Sequence, residues 1–213
     1  MSDLSVVELK KLVISAYDRI ADNYTNAYAE NDEQDSKYLD LFVDNLSGGK
    51  VLDMGCGSGI NTSHLAQMGL DVIGIDASQN MLNAARKLYP EIRFEARDIL
   101  QSSFNENAFD GIVLAYVINH FNSEGLVLLK NEIDKLLKEN GLLFISAHIG
   151  TTEEIVPDPL DDSIRIYYNF LTIDVLDNLF SGYRREHYFT RVSYGEDEFL
   201  CDKMFVIYRK REN

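Results

Sequence analysis

The chain of 213 residues is poor in cysteine, in positive charge and in long apolar runs. It has only two cysteines, Cys56 and Cys201, which excludes a disulfide framework and a cysteine-rich metal site. Neither a paired-cysteine spacing nor an HExxH pattern occurs, so no metal is expected. Lys and Arg number 20 against 35 Asp and Glu, a net charge of −15. A chain this acidic, without a basic tract, repels a phosphate backbone, which disfavours nucleic acid as a partner. No run is long enough to span a bilayer and no basic leader follows Met1, which points to a soluble cytoplasmic protein with no membrane partner. What is present is a 46% hydrophobic content over a length that suits one buried core, so a single domain over 1–213 is expected.

The organising stretch runs from Val51 through Leu52, Asp53 and Met54 to Gly55, Cys56, Gly57, Ser58 and Gly59. An apolar run stops at alternating glycines and passes into the helix-compatible segment Ile60 to Met68, which reads as a buried strand, a tight turn and a helix start. Glycines admit positive φ and let a ligand approach the backbone, while the helix start offers unpaired N–H groups. A dinucleotide loop needs its third glycine at position 60, where Ile60 stands. Asp53 repels a pyrophosphate but attracts a ligand bearing an ammonium and a sulfonium, and S-adenosylmethionine carries both. Cys56 reads as a small residue filling the turn rather than as a nucleophile.

Before this stretch, Leu9, Leu12, Val13, Ala16, Tyr17 and Ile20 recur at helical spacing, with Tyr24 and Tyr28 beyond them. An acidic connection from Glu30 to Asp35 leads to a second stripe, Leu39, Phe42, Val43 and Leu46, which Gly48 and Gly49 close. After the loop, Val72 to Ile75 reads as a buried strand ended by Asp76. That acid lies 76 − 55 = 21 residues past the first glycine, within reach of ribose hydroxyls. Ser78 caps a helix through Met81, Leu82, Ala85 and Leu88. Ile92 and Phe94 mark a third strand with Asp98 at its end, placed to accept an adenine amine. Phe109 to Leu114 is a fourth, leaving Ala115, Tyr116, Asn119 and His120 at the edge where open α/β sheets bind ligands. A helix through Leu126 to Leu137 and a fifth strand, Leu142 to Ala147, follow. Residues 150–171, with Pro157, Pro159 and several acids, read as a long loop on the substrate side. Thr172 to Phe180 is a short helix. Arg184 to Ser193 and Phe199 to Arg209 are β-rich runs about the turn signal Gly195 to Glu198.

With these segments in register the chain resembles the class I S-adenosylmethionine-dependent methyltransferases, particularly the small-molecule members of ubiquinone/menaquinone type. Val51 to Gly59 is similar to the family's first motif, Gly74 to Ser78 to its second, Ala96 to Ile99 to its third and Phe109 to Phe121 to its fourth. Leu137 to Leu143 resembles the entry to strand five, and Tyr17 to Tyr24 the lid element within an N-terminal helical region, 1–47. The resemblance implies a Rossmann-like, doubly wound α/β fold with a seven-stranded sheet of order 3-2-1-4-5-7-6, the last strand antiparallel. It implies S-adenosyl-L-methionine as cofactor, with Gly55, Cys56 and Gly57 against the methionine part and Asp53 near its amino group. Asp76, with Ala77 in the same motif, would hold the ribose, Met81 would pack on adenine, and Asp98 with the Ile99 N–H would read its edge. Ala115 and Tyr116 would lie beside the methionine moiety, and Tyr24 and Tyr17 would close over its carboxylate.

The implied reaction moves a methyl group to a nucleophilic atom of a small-molecule acceptor by in-line displacement. The leaving group is already activated, so alignment and desolvation supply much of the acceleration and no catalytic residue is strictly required. For an oxygen or nitrogen acceptor, His120 and His148 are the candidate bases, each with a plainer reading as a hydrogen-bonded loop residue. Tyr17, Tyr24 and Tyr28 either line an acceptor cavity or pack the N-terminal helix. Two other readings stand beside this one: an NAD(P)-dependent oxidoreductase, which leaves Asp53 and Ile60 unexplained, and a non-catalytic module that binds an adenosyl ligand. The pattern sets no oligomeric state.

Overall fold

The computed structural model describes residues 4–28, 35–193 and 201–212. Helix α1 (Val6–Tyr28) carries its apolar stripe on past Ile20, and the ring of Tyr24 packs against those of Tyr17 and Tyr28 at 5.9 and 4.7 Å between centroids. Of the acidic connection Glu30 to Asp35, only Asp35 is among the described residues. The chain continues through α2 (Ser36–Asp44), β1 (Lys50–Met54), α3 (Ile60–Gln67), β2 (Asp71–Asp76), α4 (Gln79–Leu88), β3 (Arg93–Ala96) and β4 (Phe109–Ala115). A 3-10 turn (Ile118–His120), α5 (Ser123–Leu136) and β5 (Leu137–His148) follow. The last elements are β6 (Glu153–Asp158), β7 (Asp161–Asn169), α6 (Ile173–Leu179), β8 (Tyr183–Arg191) and β9 (Lys203–Lys210).

Seven strands form one sheet in the order β3-β2-β1-β4-β5-β9-β8, with β9 antiparallel to both its neighbours. Since β8 and β9 are the sixth and seventh strands of that sheet in chain order, this is the expected order with its last strand antiparallel. The strands are apolar on both sides because both faces are covered. Val51, Val72, Val113 and Phe144 pack with Phe42 of α2 and Leu65 of α3. Their chain neighbours Leu52, Ile73, Ile112 and Ile145 pack with Leu129 and Ile133 of α5 and Leu176 of α6.

Residues 150–171 are not a loop. They contain the antiparallel hairpin β6–β7, a two-stranded sheet of its own. Period-two alternation explains it: Ile164, Ile166 and Tyr168 are buried against Ala16 and Ile20 of α1, while Arg165 between them faces water. Pro157 is tolerated because each strand of a two-stranded sheet is an edge. Strand β5 also begins earlier than expected, at Leu137, since α5 runs directly into it and Leu137 is fully buried opposite Phe109. The turn Gly195 to Glu198 and the run start at Phe199 lie outside the described residues. Among the described residues no helix is long and apolar enough to cross a membrane, and no group of three or more His, Cys, Asp or Glu could hold a metal ion.

Gly59 closes the glycine loop with φ 83° at the N-terminus of α3, and a Cβ there would lie 2.6 Å from Phe94 Cζ. Gly59→Ala should therefore cost about 2–4 kcal/mol in urea unfolding, through left-handed strain and overpacking. Gly182→Ala, where an added Cβ meets nothing within 4 Å, should stay within about 0.5 kcal/mol.

Candidate active site

The carboxyl ends of β1 to β4 open onto a cleft roofed by α1. The glycine loop is pinned to β2 by the N–H groups of Gly55 and Cys56, which both donate to the Ile75 carbonyl at 2.8 and 3.0 Å. At Gly57, with φ 53°, the nearest atom to an added Cβ is on the Tyr24 ring at 4.0 Å, so backbone rather than side chain faces the cleft. Asp76 ends β2 between two donors: Oδ2 accepts the Gly57 N–H and Oδ1 the Ser78 N–H, each at 2.8 Å. Burial raises the Asp76 carboxyl above the usual range. Ser78 caps α4 by accepting the Met81 N–H at 3.2 Å and donates its own hydroxyl to Asp18 Oδ1 of α1 at 2.6 Å. Asn80 donates to the same Asp18 oxygen and, through its side chain, to the Asp18 carbonyl.

On the opposite wall His120 closes the 3-10 turn after β4 and is 5% exposed. Its Nδ1 lies 2.9 Å from the Tyr167 carbonyl, which can only accept, so the proton is assigned to Nδ1. Nε2 is left as an acceptor for the Tyr17 hydroxyl at 2.9 Å. Burial pushes the ring down to about 4, so the imidazole is neutral at physiological pH, while burial pushes the Tyr17 phenol well above its usual value and keeps it a donor. Tyr116 sits at φ 59° and donates its hydroxyl to Asp35 Oδ2 at 2.7 Å, and Asp35 is in turn held by two nitrogens of Arg191.

Of the residues singled out in the sequence, Tyr17, Tyr24, Gly55, Gly57, Asp76, Ala77, Met81, Asp98, Ile99, Ala115, Tyr116 and His120 line this one cleft. Three do not. Asp53 is buried beneath the loop, where Oδ2 accepts the Thr62 hydroxyl at 2.6 Å and Oδ1 has no partner. The Cys56 thiol turns away to pack with Leu82, Ala85 and Phe94. His148 is drawn off by Asn119, whose Oδ1 accepts the His148 N–H and whose Nδ2 donates to the His148 carbonyl. Its ring packs on Tyr116 and Tyr168, and Nδ1 faces Cys201 Sγ at 3.3 Å. The cleft also takes in Lys10, Val13, Ile14, Ser78, Val117 and Phe121, to which the sequence assigns no site role. Helical spacing was the available signal for the first three, since Lys10, Val13, Ile14 and Tyr17 fall on one face of α1. Among the described residues of the region 1–47, only α1 reaches the cleft; α2 packs on the sheet.

Residues 51–141 match the family described as methyltransferase domain. The chain is 28% identical over 151 residues to a demethylmenaquinone methyltransferase of Renibacterium salmoninarum, covering 68% of this chain and 62% of that protein. Over this stretch the chain is similar to methyltransferases. A methyltransferase of Alkaliphilus oremlandii is 27% identical over 148 residues, covering 65% of this chain and 68% of that protein, so the chain spans about two thirds of the length of these relatives. The fold is shared with the 1,6-didemethyltoxoflavin-N1-methyltransferase of Burkholderia thailandensis, solved with S-adenosylhomocysteine. There the TM-score is 0.75 at 17% identity, covering 100% of this chain and 93% of that one. These similarities are to methyltransferases and favour that reading over the NAD(P)-dependent oxidoreductase.

Burial pushes the Asp53 carboxyl up to about 7 from 3.8. Between those values the folded protein holds a proton that the unfolded chain has released, so stability due to this group falls as pH rises from about 4 to about 7 and is then level. Asp53→Asn should thus be more stable than wild type by an amount that grows across that window to on the order of 2–4 kcal/mol, as read from thermal unfolding at several pH values.

Proposed function

We propose that the protein transfers the methyl group of S-adenosylmethionine to a nucleophilic atom of a small-molecule acceptor by in-line displacement. The observation that carries this reading is Asp76. It is a half-buried carboxylate lining the cleft, and with one backbone donor at each oxygen it keeps lone pairs with which to accept from a vicinal diol. The unpartnered Asp53 Oδ1 fits the same cofactor, because a buried carboxyl raised to about 7 regains its charge beside an ammonium. Bound at this site, the cofactor supplies a methyl group already activated on a sulfonium.

The chain's own residues then bind, align and exclude water. Gly55 and Gly57 present backbone to the methionine part, with Ala115 and Tyr116 on its other side. Asp76 and Ala77 take the ribose, Met81 lies on the adenine face, and Asp98 with the Ile99 N–H reads its edge. Cys56 drops out of this contact set, since its N–H is donated to Ile75 and its thiol is buried. Tyr24 and Tyr17 bring α1 down over the site and remove water from the transfer path, which strengthens every charge interaction inside.

At the acceptor end the Tyr17 hydroxyl and His120 Nε2 form the polar pair. A proton leaving an oxygen or nitrogen acceptor passes to the Tyr17 oxygen as the Tyr17 hydroxyl passes its own proton to Nε2, with Nδ1–H braced on the Tyr167 carbonyl. Its charge replaces the one lost at the sulfonium, so the buried ring is not asked to hold an additional charge. His148, outside the cleft and packed on aromatics, serves the wall and not the chemistry. The acidic balance and the names of the related enzymes favour small molecules over nucleic acid.

Calorimetric titration with S-adenosylhomocysteine tests the reading. Wild type should bind, Asp76→Ala should bind roughly ten-fold or more weakly, and absence of wild-type binding at millimolar ligand overturns it. Turnover with an accepted substrate should be level from neutral to alkaline pH and fall only towards about 4, where His120 protonates and Nε2 stops accepting. His120→Asn should lower kcat by roughly ten-fold or more without changing affinity for S-adenosylhomocysteine.

A further inference from the structure

Lys10 is the charged group in the cleft that the reaction above leaves without a task. It stands on α1 one turn before Val13 and Ile14, and its ammonium lies 2.6 Å from Asp98 Oδ2. The other Asp98 oxygen accepts the Leu100 N–H at 3.0 Å. Asp98 is therefore served at both oxygens before any ligand arrives. A purine amine directed at Oδ2 has to share that oxygen with the ammonium, two N–H donors side by side of which neither can accept from the other, so the two compete for the carboxylate.

We propose that Lys10 is an internal competitor at the adenine subsite: its ammonium holds on Asp98 the place of the purine 6-amino group, and ligand binding exchanges one N–H donor for the other. This rests on the S-adenosylmethionine reading of the cleft. The exchange is feasible because the two side chains are 32% and 35% exposed, so the displaced ammonium passes into water rather than into the core. It leaves the helix seated, since α1 is tied independently further along by Tyr17 to His120 and by Asp18 to Ser78 and Asn80. It also shapes selectivity. A purine bearing a 6-oxo group presents an acceptor, which the ammonium can bridge to Asp98 without leaving it, so Lys10 narrows the preference for the amine.

Calorimetry with S-adenosylhomocysteine and with S-inosylhomocysteine, its 6-oxo counterpart, tests this on wild type, Lys10→Met and Lys10→Gln. Lys11→Met serves as a charge control, on the same helix but outside the cleft. At low salt both Lys10 variants should bind S-adenosylhomocysteine roughly two- to five-fold more tightly than wild type, the range an exposed ion pair spans. The gap should close at about 0.5 M salt, where the pair is screened, and Lys11→Met should show no gain. The ratio of the two ligands' Kd values should widen in Lys10→Met. Equal or weaker binding of S-adenosylhomocysteine by folded Lys10→Met and Lys10→Gln overturns the competitor role alone. Failure of wild type to bind overturns the cofactor reading and this inference with it.

Discussion

The Asp76 carboxylate is the interaction on which the cleft depends. One oxygen fixes the glycine loop at Gly57, the other fixes Ser78, and the Ser78 hydroxyl reaches across to Asp18 on α1. Loop, sheet edge, helix α4 and lid are thereby joined through consecutive hydrogen bonds centred on one half-buried carboxylate. Burying that charge is costly, and two backbone donors offset the cost only in part, as the raised carboxyl shows. The remainder is recovered by whatever binds. A site that strains the empty protein in this way becomes one that its ligand stabilises.

The same dryness acts in opposite senses on the two walls. Burial raises Asp53 and Asp76 and lowers His120, so each group leans towards its neutral form. A cation seated between the carboxylates reverses the tendency on their side and leaves the imidazole neutral on the other. Acid and base are thus separated by position rather than by residue type. The separation suits the proposed reaction, in which positive charge would begin at the glycine loop and end near the 3-10 turn.

The sheet order, the glycine loop and the acids at the ends of β2 and β3 were legible because each is written locally. Apolar runs end at glycine or aspartate at spacings that only a strand, turn and helix satisfy. What escaped was tertiary. Pro157 and its acidic neighbours hid the alternation of Ile164, Ile166 and Tyr168, whose burial requires α1 to be lying over them. His148 has the sequence position of a base, yet Asn119 fixes its backbone so that the ring joins an aromatic cluster. The pairing of Lys10 with Asp98 spans 98 − 10 = 88 residues, beyond any local pattern. Asp53 was read for its charge, while its depth beneath the loop depends on Thr62 of the next helix.

The β6–β7 hairpin leaves and rejoins the framework at neighbouring points, since Ile149 and Leu171 are bridged in parallel and the Gly150 N–H donates to the Leu171 carbonyl. Structurally it is a cassette: the path from β5 to α6 stays closed whatever is inserted between those two residues. Its inner strand carries Tyr168, packed with Ala16 and Ile20 of α1 and with Met81, and the Tyr167 carbonyl that orients His120, so exchanging the cassette would alter the seat of α1 together with the His120 wall. Grafting hairpins of other lengths at 150–171 is accordingly a way to reshape the cleft from the α1 side while the seven-stranded sheet keeps its connections.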